Sequence, residues 1–157
     1  MRFTRRMVAI GVLSGALITA ASVSSAIASS LSSGGGTLQL GPPTLIWEKG
    51  SGSRLITYED GSLVFTGTIA GAGTIDVLAV VSPTGAEKLV AHWSAIATVD
   101  GRTGVLNITF DGVDNGTFSG TLFAHGMGGL AGVTAEGSFT GQDATGAGTY
   151  TLRYVDR

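Results

Sequence analysis

The chain has 157 residues, no cysteine, nine basic and eleven acidic side chains, and 26 glycines. Without cysteine the protein can form no disulfide and carry no lipid on a cysteine, so its fold must rest on a packed core. Beyond residue 28 the few basic residues form no stripe, and this argues against nucleic acid and anionic membrane surfaces as partners.

The first 28 residues have the pattern of an export signal. Arg2, Arg5 and Arg6 precede an apolar run over residues 7–23, and Ala26-Ile27-Ala28 is a small-x-small cleavage site. We expect cleavage after Ala28, a secreted or periplasmic product and no membrane span afterwards. The adjacent arginines fit both general secretory and twin-arginine export. An uncleaved anchor is the alternative.

Residues 29–36 read SSLSSGGG and predict a flexible Gly/Ser tether. The folded domain is then expected over residues 37–157, which contain six basic residues and all eleven acidic ones. This domain would be acidic overall.

The rest of the chain alternates between apolar and polar residues, as half-buried strands do. In residues 102–110, for example, Leu106, Ile108 and Phe110 share one face and Asn107 lies on the other. The same period predicts strands at 45–48, 54–58, 62–69, 74–81, 88–99, 117–124, 134–140 and 149–155.

Turn-forming residues separate these segments. Asp60-Gly61, Asp100-Gly101, Asp111-Gly112 and Asn115-Gly116 are dipeptides that favour tight hairpins. Residues 82–85 (SPTG) predict a four-residue turn. No segment of residues 29–157 has a sustained helical period. We therefore predict an all-β fold, a small closed antiparallel β-barrel of about eight strands preceded by a signal peptide.

Four glycine-containing stretches, in order and at matching spacing, carry a family likeness. They are residues 65–73 (FTGTIAGAG), 100–104 (DGRTG), 126–133 (GMGGLAGV) and 148–154 (GTYTLRY). On them the chain resembles the domain-of-unknown-function 3224 group of bacterial proteins, of the allene-oxide-cyclase-like barrel type. The resemblance implies a small closed barrel with an apolar interior. It implies no cyclase activity, because the cyclases' pocket residues have no assignable counterparts here.

The sequence offers little for catalysis. Residues 29–157 contain no G-x-S-x-G nucleophile elbow, and the only imidazole bases are His92 and His125. The alternation around His92 points it away from the apolar face, toward solvent. His125 precedes the glycine-rich loop 126–129 and is predicted at the barrel mouth, where ligands enter.

We predict no metal site and no cofactor. Residues 111–116 (DGVDNG) gather oxygen ligands but lack the spacing and the final glutamate of a calcium loop, and these residue types are those of hairpins. Residues 126–131 match the G-x-G-x-x-A pattern of dinucleotide-binding loops, but they lack the strand–turn–helix context that such a loop needs. We interpret them as a connection of the barrel.

The aromatic residues suggest where a ligand would bind. Phe65 and Trp93 are predicted to face inward, and Ala91, Ala95 and Ala97 reduce the bulk beside Trp93. A barrel of eight strands can be filled by its side chains or can hold one small ligand. Phe65, Trp93 and His125 are therefore the candidate ligand-binding residues, and a small lipophilic molecule is the candidate partner.

Three functions stay open on the sequence. The preferred one is an exported, non-enzymatic barrel that binds a small lipophilic ligand or a protein partner. The second is an isomerase or cyclase that acts on a lipophilic molecule inside the barrel. The third is a structural envelope protein. The oligomeric state does not follow from the sequence.

Overall fold

The structure, a computed structural model, describes residues 31–157; the predicted signal peptide lies outside the described residues. It contains nine strands and a single turn of 3-10 helix, Gly128–Leu130. The strands are β1 Leu31–Leu40, β2 Thr44–Ser51, β3 Arg54–Gly67, β4 Ile69–Val81, β5 Glu87–Val99, β6 Arg102–Asp114, β7 Thr117–Met127, β8 Thr134–Gln142 and β9 Ala147–Val155. Within residues 31–157, no helix has the length and apolar character needed to cross a membrane.

Eight of the strands form a closed antiparallel barrel. Strands β3 to β9 pair in sequence order, and β1 pairs with both β9 and β3, which closes the sheet. The ninth strand, β2, pairs only with the first half of β3 and extends beyond the ring. The predicted fold class is confirmed.

The predicted tether is wrong for residues 31–36, which form the first half of β1. Gly34, Gly35 and Gly36 pair with Leu152, Thr151 and Tyr150 of β9. A Cβ atom on Gly36 would overlap the carbonyl oxygen of Thr66 in β3. These glycines therefore allow the strands that close the barrel to approach one another, rather than making the segment flexible.

The turn predictions divide into two groups. Asp100-Gly101, Asn115-Gly116 and the turn at residues 82–85 do connect neighbouring strands, and Asp100 and Gly101 both have positive φ, 49° and 78°. Asp60-Gly61 and Asp111-Gly112 instead lie inside β3 and β6, paired with their neighbours. The hairpin prediction was wrong there because the ladder on both sides holds these residues extended.

The inward faces of the strands make one continuous apolar core. Leu63, Phe65, Trp93, Leu106 and Ile108 each expose at most 1% of their surface. The predicted inward alternation of β3, β5 and β6 is therefore confirmed. Asn107 lies between Leu106 and Ile108, on the other face of β6, and is only half-buried.

One end of the barrel is closed by the chain itself. The 3-10 helix lies over the inward-facing Gly104 and places Leu130, fully buried, in the core. Arg102 holds this connection by donating hydrogen bonds to the carbonyl oxygens of Gly129 and Ala131, at 2.8 and 3.2 Å. The cavity described below is therefore at the opposite end.

Gly36→Ala should lower the free energy of unfolding by about 1–3 kcal/mol, because the added methyl group forces β1 away from β3. The matched control is Gly50→Ala in the exposed β2, where a Cβ meets no atom within 4 Å, and there the change should stay within about 0.5 kcal/mol. Denaturant unfolding measures both. Equal midpoints for the two variants would show that residues 31–36 do not close the barrel.

Candidate functional site

A cavity of about 420 Å³ opens at the end of the barrel opposite the 3-10 helix. Two of its boundaries are connections, residues 41–43 between β1 and β2 and residues 143–146 between β8 and β9. The rest are the strand ends that surround the opening. We call this cavity the mouth pocket.

Apolar side chains form the walls of the mouth pocket. They occupy inward positions of seven barrel strands, which alternate with outward-facing positions along each strand. These side chains are Leu38, Leu40, Leu63, Ile75, Val77, Leu89, Ala91, Phe110, Phe118 and Phe139.

Three phenylalanines make up one side of the pocket. Phe139 packs edge-to-face on Phe110, with ring centroids 5.4 Å apart, and lies 6.3 Å from Phe118. Their rings lie over glycines of neighbouring strands: a Cβ on Gly112 would contact the Phe139 ring, and one on Gly141 would overlap Phe118. Gly112 and Gly141 thus make room for the Phe139 and Phe118 rings at the barrel wall.

Carboxylates surround the opening. Glu59, Asp60, Glu87, Asp114 and Asp143 all line the mouth pocket, and no lysine or arginine among residues 31–157 does. Asp60 pairs with Asp76, so its side chain lies on the outer face. We call the other four residues, Glu59, Glu87, Asp114 and Asp143, the acidic rim. Glu87 and Asp114 lie directly opposite each other on β5 and β6. Burial raises the pKa of Glu87, and the charges of Asp114, Glu59 and Asp143 raise it further.

Phe65 and Trp93 do face the interior, as predicted, but they do not line the mouth pocket. The two rings pack edge-to-face, with centroids 5.2 Å apart, and the Trp93 indole N–H donates to the Leu63 carbonyl oxygen at 3.2 Å. A Cβ on Gly73 of β4 would lie 2.6 Å from that of Ala95 and 3.1 Å from the Trp93 nitrogen. The small residues beside Trp93 therefore accommodate the close approach of β4. Ligand binding at Phe65 and Trp93 stays a prediction.

His125 lies on β7, exposed, with its backbone paired to Asn107 and Thr134. It is on the outer surface near the closed end, away from the mouth pocket, so the predicted position at the mouth is wrong. His92 is exposed, as predicted, and its Nδ1 is 3.3 Å from the Thr109 hydroxyl.

The two weak motifs have structural roles. In the stretch 111–116, Asp114 accepts a hydrogen bond from the Gly116 N–H at 2.7 Å and so stabilises the β6–β7 turn. Residues 126–131 connect β7 to the 3-10 helix, as interpreted from the sequence. Across residues 31–157, no three His, Cys, Asp or Glu side chains are close enough together to hold a metal ion.

The sequence does contain a signal for the acidic rim. Glu87 has the same parity as Leu89, Ala91 and Trp93, and Asp114 has the same parity as Ile108 and Phe110. A carboxylate that ends an inward-facing apolar row is a candidate for a pocket opening. The lining residues 41–43 and 143–146 come from connections, whose positions alternation does not predict.

A search of solved structures finds a barrel of the same kind. The structure is similar to the crystal structure of a protein of unknown function of the DUF3224 family from Shewanella oneidensis, with a TM-score of 0.67 and 16% sequence identity. The match covers 82% of this chain and 99% of that one. No protein-family profile matches the sequence, and neither does any curated protein. The likeness agrees with the family resemblance seen in the sequence and supports the barrel fold.

Glu87→Gln should make the protein more stable at pH 7. The raised pKa means that folding favours protonated Glu87. In the parent, the stabilisation from protonated Glu87 is complete below the unfolded pKa of 4.5, and it is lost as the pH rises through the folded pKa. Because Glu87 is only half-buried and solvent screens the rim, we expect a gain below about 1 kcal/mol that disappears in acid.

Unfolding midpoints between acidic and neutral pH measure this gain. Asp111→Asn, which removes a carboxylate from the outer face of β6, is the control for a general loss of charge. A Glu87→Gln gain that is the same at all pH values would contradict the repulsion among the rim carboxylates.

Proposed function

We propose that the protein binds a small lipophilic molecule in the mouth pocket. The observation that carries this proposal is an open cavity of about 420 Å³ with apolar and aromatic walls. Protein interiors are otherwise packed without voids of this size, and ligand pockets typically measure about 300–1,000 Å³. A hydrophobic guest would remove the walls from water.

The chemistry of the inner walls of the pocket favours binding over catalysis. Its deeper walls, including Leu63, Ile75, Ala91 and Phe110, carry no side-chain group that could exchange a proton. The titratable side chains that line the pocket are the rim carboxylates at its opening. An isomerase or cyclase remains the alternative, and it would have to use the rim. With few polar groups to orient the guest, we expect a modest affinity.

The proposal is tested with Val77→Phe, which places a larger side chain in the mouth pocket. Its matched control is Leu78→Phe, the next residue of β4, whose side chain is 44% exposed on the outer face. Calorimetry with decanol should show saturable binding to the parent and to Leu78→Phe, and at least about tenfold weaker binding to Val77→Phe, since lost contacts of about 1.4 kcal/mol suffice for that.

A protein that binds neither decanol nor other neutral lipophilic molecules in this assay would contradict the proposal. Equal binding by Val77→Phe and Leu78→Phe would show that the guest lies elsewhere. Thermal unfolding of both variants first establishes that each is folded.

A second candidate function is self-association through the outer face. Trp47, Tyr58, Leu78 and Val90 form a lateral row across β2, β3, β4 and β5, and Trp47 stacks on Tyr58 with centroids 6.0 Å apart. Within residues 31–157, the other edge of β2 pairs with no strand. Antiparallel pairing with β2 of a second copy would occupy this edge, next to Trp47, and continue the sheet.

Trp47→Arg is the variant that tests self-association, because Trp47 is 45% exposed on the edge strand and adds nothing to the barrel core. Sedimentation of the parent should show a dimer and that of the variant a monomer. Phe123→Arg, on the far outer face of β7 and 55% exposed, should leave the dimer intact. A monomeric parent at high protein concentration would contradict this candidate.

A further inference from the structure

The mouth pocket carries charge of one sign only. All the ionisable side chains that line it are acidic, while Lys88, next to Glu87 in β5, is on the outer face. Within residues 31–157, an ion pair joins Arg102 to Asp156, at the closed end of the barrel. The described part of the chain therefore places no compensating cation at the acidic rim.

The arrangement works against folding stability. Like charges directly opposite each other on paired strands are destabilising, and Glu87 and Asp114 are such a pair. Glu59 and Asp143 add repulsion from the other sides of the opening. Sites that conflict with stability are often binding sites, because a ligand then supplies the missing partner.

We infer that the mouth pocket selects lipophilic cations, amphiphilic amines whose apolar part occupies the cavity while the ammonium group lies among the rim carboxylates. This inference rests on the proposed function, which supplies the apolar cavity as an independent reason for a ligand. It adds the charge of that ligand, which the cavity alone leaves open.

Two comparisons favour an organic cation. A bare metal ion does not suit the rim, because within the described part of the chain no three acidic or histidine side chains are close enough to coordinate one. A fatty acid would bring its carboxylate into the same negative field and would be repelled. An amine with an apolar chain can pack against the apolar walls and place its ammonium group among the rim carboxylates.

The attraction should be moderate. The rim is open to solvent, so each carboxylate interacts with an ammonium group at high effective dielectric and is screened by salt. Several carboxylates around a single opening act on the same charge. We expect decylamine to bind about tenfold more tightly than decanol, a ratio that corresponds to about 1.4 kcal/mol.

The experiment compares three probes with the same ten-carbon chain, decylamine, decanol and decanoate, by calorimetry at neutral pH and low salt. The expected order of affinity is amine, then alcohol, then carboxylate. The preference for the amine over the alcohol should shrink in about 0.5 M salt, since screening weakens interactions of exposed charges.

Variants test whether the rim causes the preference. Glu87→Gln with Asp114→Asn should reduce the ratio of amine to alcohol affinity by at least about threefold, roughly 0.65 kcal/mol. Asp76→Asn with Asp111→Asn removes the same charge from outer faces and should leave the ratio as in the parent. Val77→Phe should weaken amine binding together with alcohol binding.

Each failure has its own meaning. If decanol binds and decylamine binds no more tightly, the inference is wrong while the proposed function stands. If no probe binds, the proposed function fails and the inference with it. Amine binding that survives Val77→Phe would come from the acidic surface in general and would also overturn the inference.

Discussion

Strand β1 is the element on which the rest of the structure depends, because it hydrogen-bonds to β9 on one side and to β3 on the other. Without it the sheet would end in two free edges and its apolar face would not be enclosed. The closure needs backbones to come close, which Gly34, Gly35 and Gly36 permit. Tyr150 reinforces it: its buried hydroxyl accepts the Ile69 N–H at 2.8 Å, next to the turn from β3 to β4.

The two ends of the barrel are built differently, and this difference positions the site. At one end, Leu130 and the 3-10 helix close the interior, and Tyr154 donates a hydrogen bond to Asp100 in the neighbouring turn. At the other end the connections surround the opening without filling it. Trp93 and Phe65, both buried, pack edge-to-face in the interior and do not line the mouth pocket.

The charge repulsion within the acidic rim would affect both the stability of the fold and the binding of a guest. Glu59, Glu87 and Asp114 lie on strands whose inward faces form the apolar walls, so the charge pattern and the cavity are parts of one surface. A guest that removes the walls from water and also neutralises the rim would stabilise the fold twice, by hydrophobic burial and by relief of repulsion. A neutral guest would supply only the first contribution.

The sequence by itself determined which faces of β3, β5 and β6 are buried, because a period of two assigns sides without further information. It also indicated the tight turns at Asp100-Gly101 and Asn115-Gly116. The tertiary structure decided the positions along the barrel axis. Register brought Gly73 of β4 close to Ala95 and Trp93 of β5. It also gathered Glu87 and Asp114 at one opening and held residues 31–36 in the barrel. Local alternation carries no register between strands far apart in the chain, and the pocket depends on that register.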